Sequence, residues 1–308
     1  MVPIGARSSA ARRLFDRTER RPVRTALAAQ GAFPERGGHP WAVSGMPSSG
    51  VKWLHERVSE LDSGEIAPGL GDEPIVRFVR LMVGWTNTRM TFDPERPVVL
   101  EPAAADGITA ECRLLKEIAR TDADLVRGPL EQRRQEWIGT AKRSGSAASP
   151  ELTRQSFVSA DAAAHVGPST KPAGVGIYSS TAASDGRSMW RVFLEIGTEA
   201  SLHPRPWAIW GLRPCGDRAK VCEIDGAETW CDLVQAYPTR ADGLLYPDWR
   251  AIATDFDGVH MTLAAIVATQ GFTLLTSAGP IAAAYWDIET TLWLRWRFES
   301  VTLRQVLR

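Results

Sequence analysis

The amino-acid sequence predicts an α+β protein in which a mainly helical N-terminal region precedes a strand-rich C-terminal half. Three observations support this class. Apolar residues recur at helical spacing between residues 51 and 143. A stretch rich in Ser, Gly and Ala then interrupts the periodicity at residues 142–151, and short β-branched and aromatic segments dominate afterwards. The 308 residues suffice for two domains at roughly 100–200 residues each.

Charge is distributed unevenly along the chain, because the N-terminal residues are rich in Arg. Residues 1–40 contain eight Arg and three acids, a local net charge of +5. Their composition predicts a flexible Arg-rich arm over residues 1–50. The alternative is a contact arm for an acidic partner or a nucleic acid. The whole chain is balanced at 36 basic and 36 acidic residues, so no global field attracts nucleic acid or an anionic membrane.

A helical N-terminal domain is predicted at residues 51–143. Pro129 suits the first turn of the last helix. A linker is predicted at residues 144–151, where Ser, Gly, Ala and Pro replace the apolar period. The segments that predict helices are "VKWLHERVSEL", "EPIVRFVRLMVGW", "ITAECRLLKEIARTDADLV" and "PLEQRRQEWIGTAKR".

A second domain with a mixed β-sheet is predicted at residues 152–308. Short helices are predicted between its strands at "ETWCDLVQAYP" and "YPDWRAIATDF". The segments that predict strands are "VGIYSST", "WRVFLEI", "PWAIWGL", "AKVCEI", "DGVHMTL" and "TTLWLRWRFESVTL".

Several functional classes are disfavoured. No apolar run reaches the roughly 18 residues of a membrane helix, so we expect a soluble, cytoplasmic protein without a membrane partner; a specialised secretion route stays open. The gaps between Cys215, Cys222 and Cys231 are six and eight residues. Neither gap fits a zinc site, and no metal is expected.

The first segment with candidate chemistry is "KPAGVGIYSST", residues 171–181. Gly176 permits a tight turn or a close approach of the backbone to a ligand. Tyr178, Ser179 and Ser180 follow it, and a ring beside hydroxyls suits a flat, polar heteroaromatic ligand. The alternative is an ordinary glycine turn into a strand whose tyrosine packs in the core.

The second segment is "YWDIETTLWLRW", which places Asp287 and Glu289 two residues apart. In a strand these side chains share one face, where two close carboxylates can divide hydrogen bonding and charge stabilisation between them. The alternative is a solvated edge strand. Between the two segments, "PDWRAIATDFDGVHMTL" predicts a helix, a turn and a strand. His260 on that strand is expected to be a satisfied or exposed side chain rather than a general base.

The order of these features resembles the ADP-ribosyltransferase superfamily. It is also similar to bacterial and phage proteins with a "KPxGLWxS" segment, a following Trp, a "W..IA..YDG" segment and a terminal "WD.ES..W". Here these read "KPAGVGIYSS", Trp190, "WRAIATDFDGV" and "WDIETTLW". The resemblance covers roughly residues 152–300, and the order and spacing of the short motifs carry its weight.

The resemblance implies a cleft between two sheets that binds NAD as a substrate. Glu289 would hydrogen-bond the 2′-hydroxyl of the nicotinamide ribose and stabilise the oxocarbenium-like charge as nicotinamide leaves. Asp287 would bear on the acceptor. Tyr178 would stack on nicotinamide in one variant of the family, and Ser179 or Ser180 would match the serine motif in the other.

Both variants also need a basic residue on the first strand of the domain. Arg154 in "TRQSFVSAD" and His165 in "AAHVGPST" are the two candidates. The resemblance therefore implies a toxin- or effector-like NAD-dependent ADP-ribosyltransferase that transfers ADP-ribose to a macromolecular acceptor, protein or nucleic acid. The alternative is a catalytically inactive, transferase-like scaffold or binding module.

Overall fold

A computed structural model describes residues 73–89, 111–140, 151–196, 203–215, 219–270 and 273–308. The arm predicted at residues 1–50, the helix predicted at residues 51–61 and the linker predicted at residues 144–151, except residue 151, lie outside these ranges. The helices are α1 (Pro74–Arg89), α2 (described over residues 111–118), α3 (Ala123–Arg127), α4 (Met189–Ile196), α5 (Ala227–Ala236), α6 (Trp249–Asp255) and α7 (Leu263–Thr269).

The strands form two sheets. Their bounds are β1 (Gln135–Thr140), β2 (Ile177–Thr181), β3 (Trp207–Pro214), β4 (Val221–Ile224), β5 (Pro238–Ala241), β6 (Leu244–Pro247), β7 (Gly258–Met261), β8 (Leu274–Thr276), β9 (Gly279–Ile281), β10 (Thr290–Trp293) and β11 (Phe298–Leu307). The larger sheet has the order β11-β3-β1-β2-β10-β7-β4, and the smaller one has the order β5-β6-β9-β8.

The larger sheet is mixed. Within the described ranges its neighbouring strands pair antiparallel, except for β4 and β7, which pair parallel. A parallel pair needs a crossover connection, and here the chain between β4 and β7 supplies it with α5, the hairpin of β5 and β6, and α6. The class is therefore α+β with a mixed multi-stranded sheet in the C-terminal part, as predicted.

Burial follows from the position of each strand. The central strands β7 and β10 are buried along their whole length. The edge strand β11 is mostly exposed, and its exposed residues lie on both faces of the sheet. One hydrophobic cluster joins Phe78 on α1, Trp230 on α5 and Trp286. The helices therefore cover the middle of the sheet, and side chains there lose contact with water.

The helix predicted at "PLEQRRQEWIGTAKR" is wrong over most of its length. A 3₁₀ turn at Gln132–Arg134 leads into β1, which lies between β2 and β3. The first two residues of β1, Gln135 and Glu136, are polar and yet buried. Their partners come from other strands, so the local pattern gave no sign of them. The region predicted as a helical domain thus contributes a strand to the sheet of the C-terminal half.

The strand predicted at "WRVFLEI" is also wrong, because this segment forms α4. Met189, Val192 and Phe193 are buried at helical spacing, and α4 packs against α1. A short apolar run does not distinguish a strand from a buried helix by periodicity alone. The strands predicted at "VGIYSST", "PWAIWGL", "AKVCEI" and "DGVHMTL" are confirmed as β2, β3, β4 and β7, and both predicted short helices are confirmed as α5 and α6. The strand predicted at "TTLWLRWRFESVTL" is interrupted at residues 294–297 and forms two strands, β10 and β11.

None of the helices in the described part of the chain is both long enough and apolar enough to span a bilayer.

Candidate functional site

Glu289 lies immediately before β10 and is fully buried, with 0% of its surface exposed. Its Oε2 accepts hydrogen bonds from Ser180 Oγ and from the Thr181 backbone N–H, both at 2.9 Å. Its Oε1 lies 2.7 Å from Thr181 Oγ1 and 2.9 Å from His260 Nε2. The carboxylate thus has four protein partners, which matches its roughly four acceptor positions.

Strand pairing explains why these side chains meet. Thr291 on β10 stands opposite Ser179 on β2 and opposite His260 on β7. The residue two positions before Thr291 therefore reaches the end of β2 on one side and His260 on the other. The Ser-Ser-Thr segment and the glutamate of "WDIETTLW" come together through this register and not through closeness in sequence.

His260 bridges two carboxylates. Its Nδ1 lies 2.6 Å from Glu223 Oε2, and Glu223 is its direct neighbour in the parallel pairing of β4 with β7. Burial alone would lower the pKa of His260, but the charges and hydrogen bonds of Glu223 and Glu289 outweigh burial and raise the pKa to about 10. His260 is therefore an imidazolium at neutral pH, and both ring nitrogens donate.

We call Ser180, Thr181, Glu223, His260 and Glu289 the interior site. Two carboxyl side chains flank the imidazolium in this site. Attraction between opposite charges in direct contact offsets part of the cost of desolvating them. The interior site is thus a fixed and mostly buried arrangement of acidic, imidazole and hydroxyl groups.

A second run of hydrogen bonds supports the interior site from β1. The Gln135 side-chain amide donates to Thr181 Oγ1 at 2.7 Å, and its carbonyl oxygen accepts from Ser179 Oγ at 2.6 Å. Ser179 Oγ in turn accepts from the indole N–H of Trp293 at 2.8 Å. Ser179 therefore faces Gln135 and Trp293, whereas Ser180 faces Glu289.

Asp287 has a different environment. Its backbone has φ 63°, a left-handed conformation, and the Ile288 N–H donates to the Trp286 carbonyl at 2.7 Å across it. This is the hydrogen bond of a γ-turn. Asp287 Oδ1 accepts from Gln270 Nε2 at 2.8 Å, and Oδ2 lies 3.5 Å from Lys171 Nζ.

The prediction that Asp287 and Glu289 share one face of a strand is therefore wrong. The strand starts only at Thr290, and the γ-turn at Asp287 breaks the alternation on which the prediction depended. The side chain of Asp287 is 19% exposed and that of Glu289 is 0% exposed. We call Lys171, Gln270 and Asp287 the rim.

Tyr178 and Gly176 have local structural roles. The Tyr178 hydroxyl donates to the Pro172 carbonyl at 2.6 Å, its ring meets Trp286 edge-on at 5.9 Å, and burial raises its pKa. Gly176 has φ 64°, and a Cβ there would lie 2.3 Å from the Trp293 carbonyl oxygen. The close approach predicted for Gly176 is thus made to the protein backbone.

Neither candidate for the basic residue on the first strand lies on a strand. Arg154 and His165 are both exposed, in a fully described segment, residues 151–176, that contains no strand. The imidazole that contacts Glu289 comes instead from His260 on β7. The sequence alone does not predict this role for His260, because its partners Glu223 and Glu289 lie 37 and 29 positions away in the chain.

A cavity of about 510 Å³ opens beside the rim. Lys171, Tyr246, Thr273 and Tyr285 contribute to its lining. Its lining includes aromatic rings, hydroxyl groups and the ammonium group of Lys171. Among the residues that the structure describes, no group of three or more His, Cys, Asp or Glu side chains is arranged to bind a metal.

Comparisons of the chain with protein families, with characterised proteins and with solved structures find no match. Its function is therefore inferred from the geometry of the interior site together with the motif resemblance.

Proposed function

We propose that this protein is an NAD-dependent ADP-ribosyltransferase, with Glu289 as the catalytic carboxylate and a macromolecule as the acceptor. One observation carries the proposal: Ser180 Oγ and the Thr181 N–H both bind Glu289 Oε2 at 2.9 Å. The two segments that resemble the family's serine motif and glutamate motif are separated by more than 100 residues, and their functional groups are in direct contact. Such a contact is expected if the segments serve one reaction.

The proposed reaction breaks the bond between the nicotinamide nitrogen and C1′ of the ribose. The bonding electron pair leaves with nicotinamide, and positive charge develops on the ribose. A carboxylate held in place by fixed donors stabilises that charge without reorganisation. A nucleophile of the acceptor then forms a bond to C1′ and loses its proton.

A substrate hydroxyl needs a free acceptor position on Glu289. Ser180 offers a way to provide one, because its Oγ lies 2.9 Å from Glu289 Oε2 and 3.0 Å from the Glu289 carbonyl oxygen. A rotation of the Ser180 O–H toward the carbonyl keeps the hydroxyl satisfied and releases Oε2. The ribose 2′-hydroxyl can then donate to Oε2. Since Glu289 is fully buried, NAD reaches it only after a local opening of the protein.

The alternative is a catalytically inactive, transferase-like scaffold. The observation that supports this alternative is the environment of Glu289, whose buried carboxyl oxygens already make four contacts with protein groups. A saturated, dry carboxylate also suits a purely structural role. The two functions differ in whether NAD is consumed, so one assay separates them.

The test is release of labelled nicotinamide from NAD in the presence of a cell lysate as the source of acceptor. We expect release by the wild type and a fall of about 100- to 1000-fold in Glu289→Gln, which keeps the side-chain size and removes the charge. Glu195→Gln is the matched control, because it makes the same change at a partly exposed carboxylate on α4 that has no role in the proposed reaction.

Near-ultraviolet circular dichroism of the tryptophans verifies that each variant is folded. A folded wild type that releases no nicotinamide would support the scaffold. Equal release by wild type and Glu289→Gln would remove Glu289 from the reaction. Mass spectrometry of the lysate proteins and nucleic acids then identifies which class carries ADP-ribose.

A further inference from the structure

Three ionisable side chains form a continuous line across the sheet. Glu223 on β4, His260 on β7 and Glu289 before β10 are joined by contacts of 2.6 Å and 2.9 Å. Glu223 and His260 belong to neither sequence motif of the proposed function. Their exposure decreases along the line, from 14% for the Glu223 side chain to 1% for His260 and 0% for Glu289.

The far end of this line is anchored to the backbone. The Leu130 N–H donates to Glu223 Oε1 at 2.8 Å. Gly128, two residues earlier, passes so close that a Cβ there would lie 2.8 Å from Glu223 Oε2. The loop after α3 therefore holds Glu223 Oε1 by a hydrogen bond, and the absence of a side chain at residue 128 leaves room for Oε2.

The charge state of His260 depends on both acids. The ionisable groups that face it are Glu223, from β4, and Glu289, from the segment before β10. Without them, burial would favour the neutral imidazole. A neutral imidazole donates from one nitrogen only, so it could bind one carboxylate well and would leave the other poorly satisfied.

We propose that Glu223 and His260 are positioning residues that hold Glu289 in a single orientation for the reaction. This inference rests on the proposed function, because it takes NAD cleavage at Glu289 as the reaction. Glu223 acts through His260 and does not touch Glu289. It fixes His260 as an imidazolium, and the Nε2–H of that imidazolium fixes Glu289 Oε1. The opposite oxygen, Oε2, stays available to Ser180 and to the substrate.

The test compares Glu223→Gln with Glu195→Gln. The first substitution keeps the side-chain size at the outer end of the line and removes its charge. The second makes the same change at a partly exposed carboxylate on α4, which pairs with Arg191 and Arg187. Nicotinamide release is measured from pH 6 to pH 10, and kcat and KM for NAD are determined separately.

We expect Glu223→Gln to lower kcat by about 10- to 100-fold, by analogy with the loss of a partner that orients a metal-binding side chain. KM should change little, since Glu223 is not proposed to contact NAD. The alkaline limit of the pH profile should move to lower pH, because His260 loses one of the two acids that hold its proton. Glu195→Gln should leave all three quantities unchanged. A Glu223→Gln profile that superimposes on the wild-type profile would overturn the proposal.

A second measurement does not depend on NAD. Nuclear magnetic resonance of protein with isotopically labelled histidine follows the titration of His260, identified by its loss in His260→Gln. We expect His260 to keep its proton through neutral pH in the wild type and to lose it at lower pH in Glu223→Gln. Titration of wild-type His260 near its ordinary pKa would refute the positioning role. If the wild type released no nicotinamide, the proposed function would fail, and the titration would still report on the contacts.

Discussion

The interior site and the rim contain two acids only two residues apart in the chain, and they have opposite environments. Glu289 is fully buried and bound by four protein groups, whereas Asp287 is partly exposed and its ion pair with Lys171 spans 3.5 Å. The difference arises from the backbone. A γ-turn at Asp287 reverses the direction of its side chain just before β10 begins. Closeness in sequence is therefore a poor guide to shared chemistry at the end of a strand.

The interior site and the rim also differ in how much their ion pairs contribute to the free energy of unfolding. Removing one partner from a buried ion pair leaves an uncompensated charge and costs about 3–5 kcal/mol, whereas an exposed pair contributes about 0–1 kcal/mol. Substitutions in the interior site should therefore affect the free energy of unfolding far more than substitutions at the rim. The predictions below begin with the largest expected effect.

His260→Leu should lower the free energy of unfolding by about 3–5 kcal/mol, because it leaves the buried Glu289 and the partly buried Glu223 without a cation. Lys171→Met, the matched loss of a cation at the rim, should cost less than about 1 kcal/mol. Urea denaturation followed by tryptophan fluorescence measures both. Similar losses in the two variants would show that the interior and rim pairs are equivalent.

The contribution of His260 should also depend on pH in a defined direction. Its pKa is about 10 in the folded protein against 6.5 for an ordinary histidine, so its stabilising effect is fully present below about pH 6.5 and is lost as the pH rises toward about 10. The stability difference between wild type and His260→Leu should therefore shrink over this interval. A difference that stays constant from pH 6.5 to 10 would contradict the assignment of the charge.

Gly176→Ala should cost roughly 2–4 kcal/mol. The new Cβ would meet the Trp293 carbonyl oxygen of β10 at 2.3 Å and would also force a residue with a side chain to keep φ 64°. Gly174→Ala is the control, since that residue has φ 78° but no atom within 4 Å of the new Cβ. Only the backbone cost of about 1–2 kcal/mol is expected there. Equal losses would mean that the contact with β10 adds nothing.

Asp287→Asn should have the smallest effect, less than about 1 kcal/mol. Asparagine tolerates a positive φ, and its Oδ1 can still accept from Gln270. The ion pair with Lys171 is lost. Thermal denaturation at low and moderate salt measures the change, which should become smaller as salt screens the pair. A loss of stability as large as that of His260→Leu would show that Asp287 contributes as much to the free energy of unfolding as the buried ion pairs do.

Elements whose pattern is local were predictable from the sequence. The helices α1, α5 and α6 and the strands β2, β7 and β10 follow from apolar spacing and from their Gly, Pro and Asp boundaries. The incorrect prediction of a helix at β1 has a physical cause. Gln135 and Glu136 are polar and have the pattern of surface residues, and their partners Thr181 and Arg304 lie on other strands.

The candidate site was predictable only in part, for the same reason. Glu289 and Ser180 were recognised because each lies in a short motif, and they do meet. His260 and Glu223 have no such motif. Their roles depend on the register of a parallel pair of strands, in which Glu223 stands opposite His260. The local sequence of either strand does not specify that register.

The parallel pairing of β4 with β7 has a consequence for the lifetime of the folded state. The contacts from Leu130 to Glu223, from Glu223 to His260 and from His260 to Glu289 join residues 93, 37 and 29 positions apart. Contacts that close long loops form late in folding. Interactions that are absent from the folding transition state act mainly on the rate of unfolding. We therefore expect Glu223, His260 and Glu289 to act mainly on how long a folded molecule survives before it opens, and less on how quickly it folds.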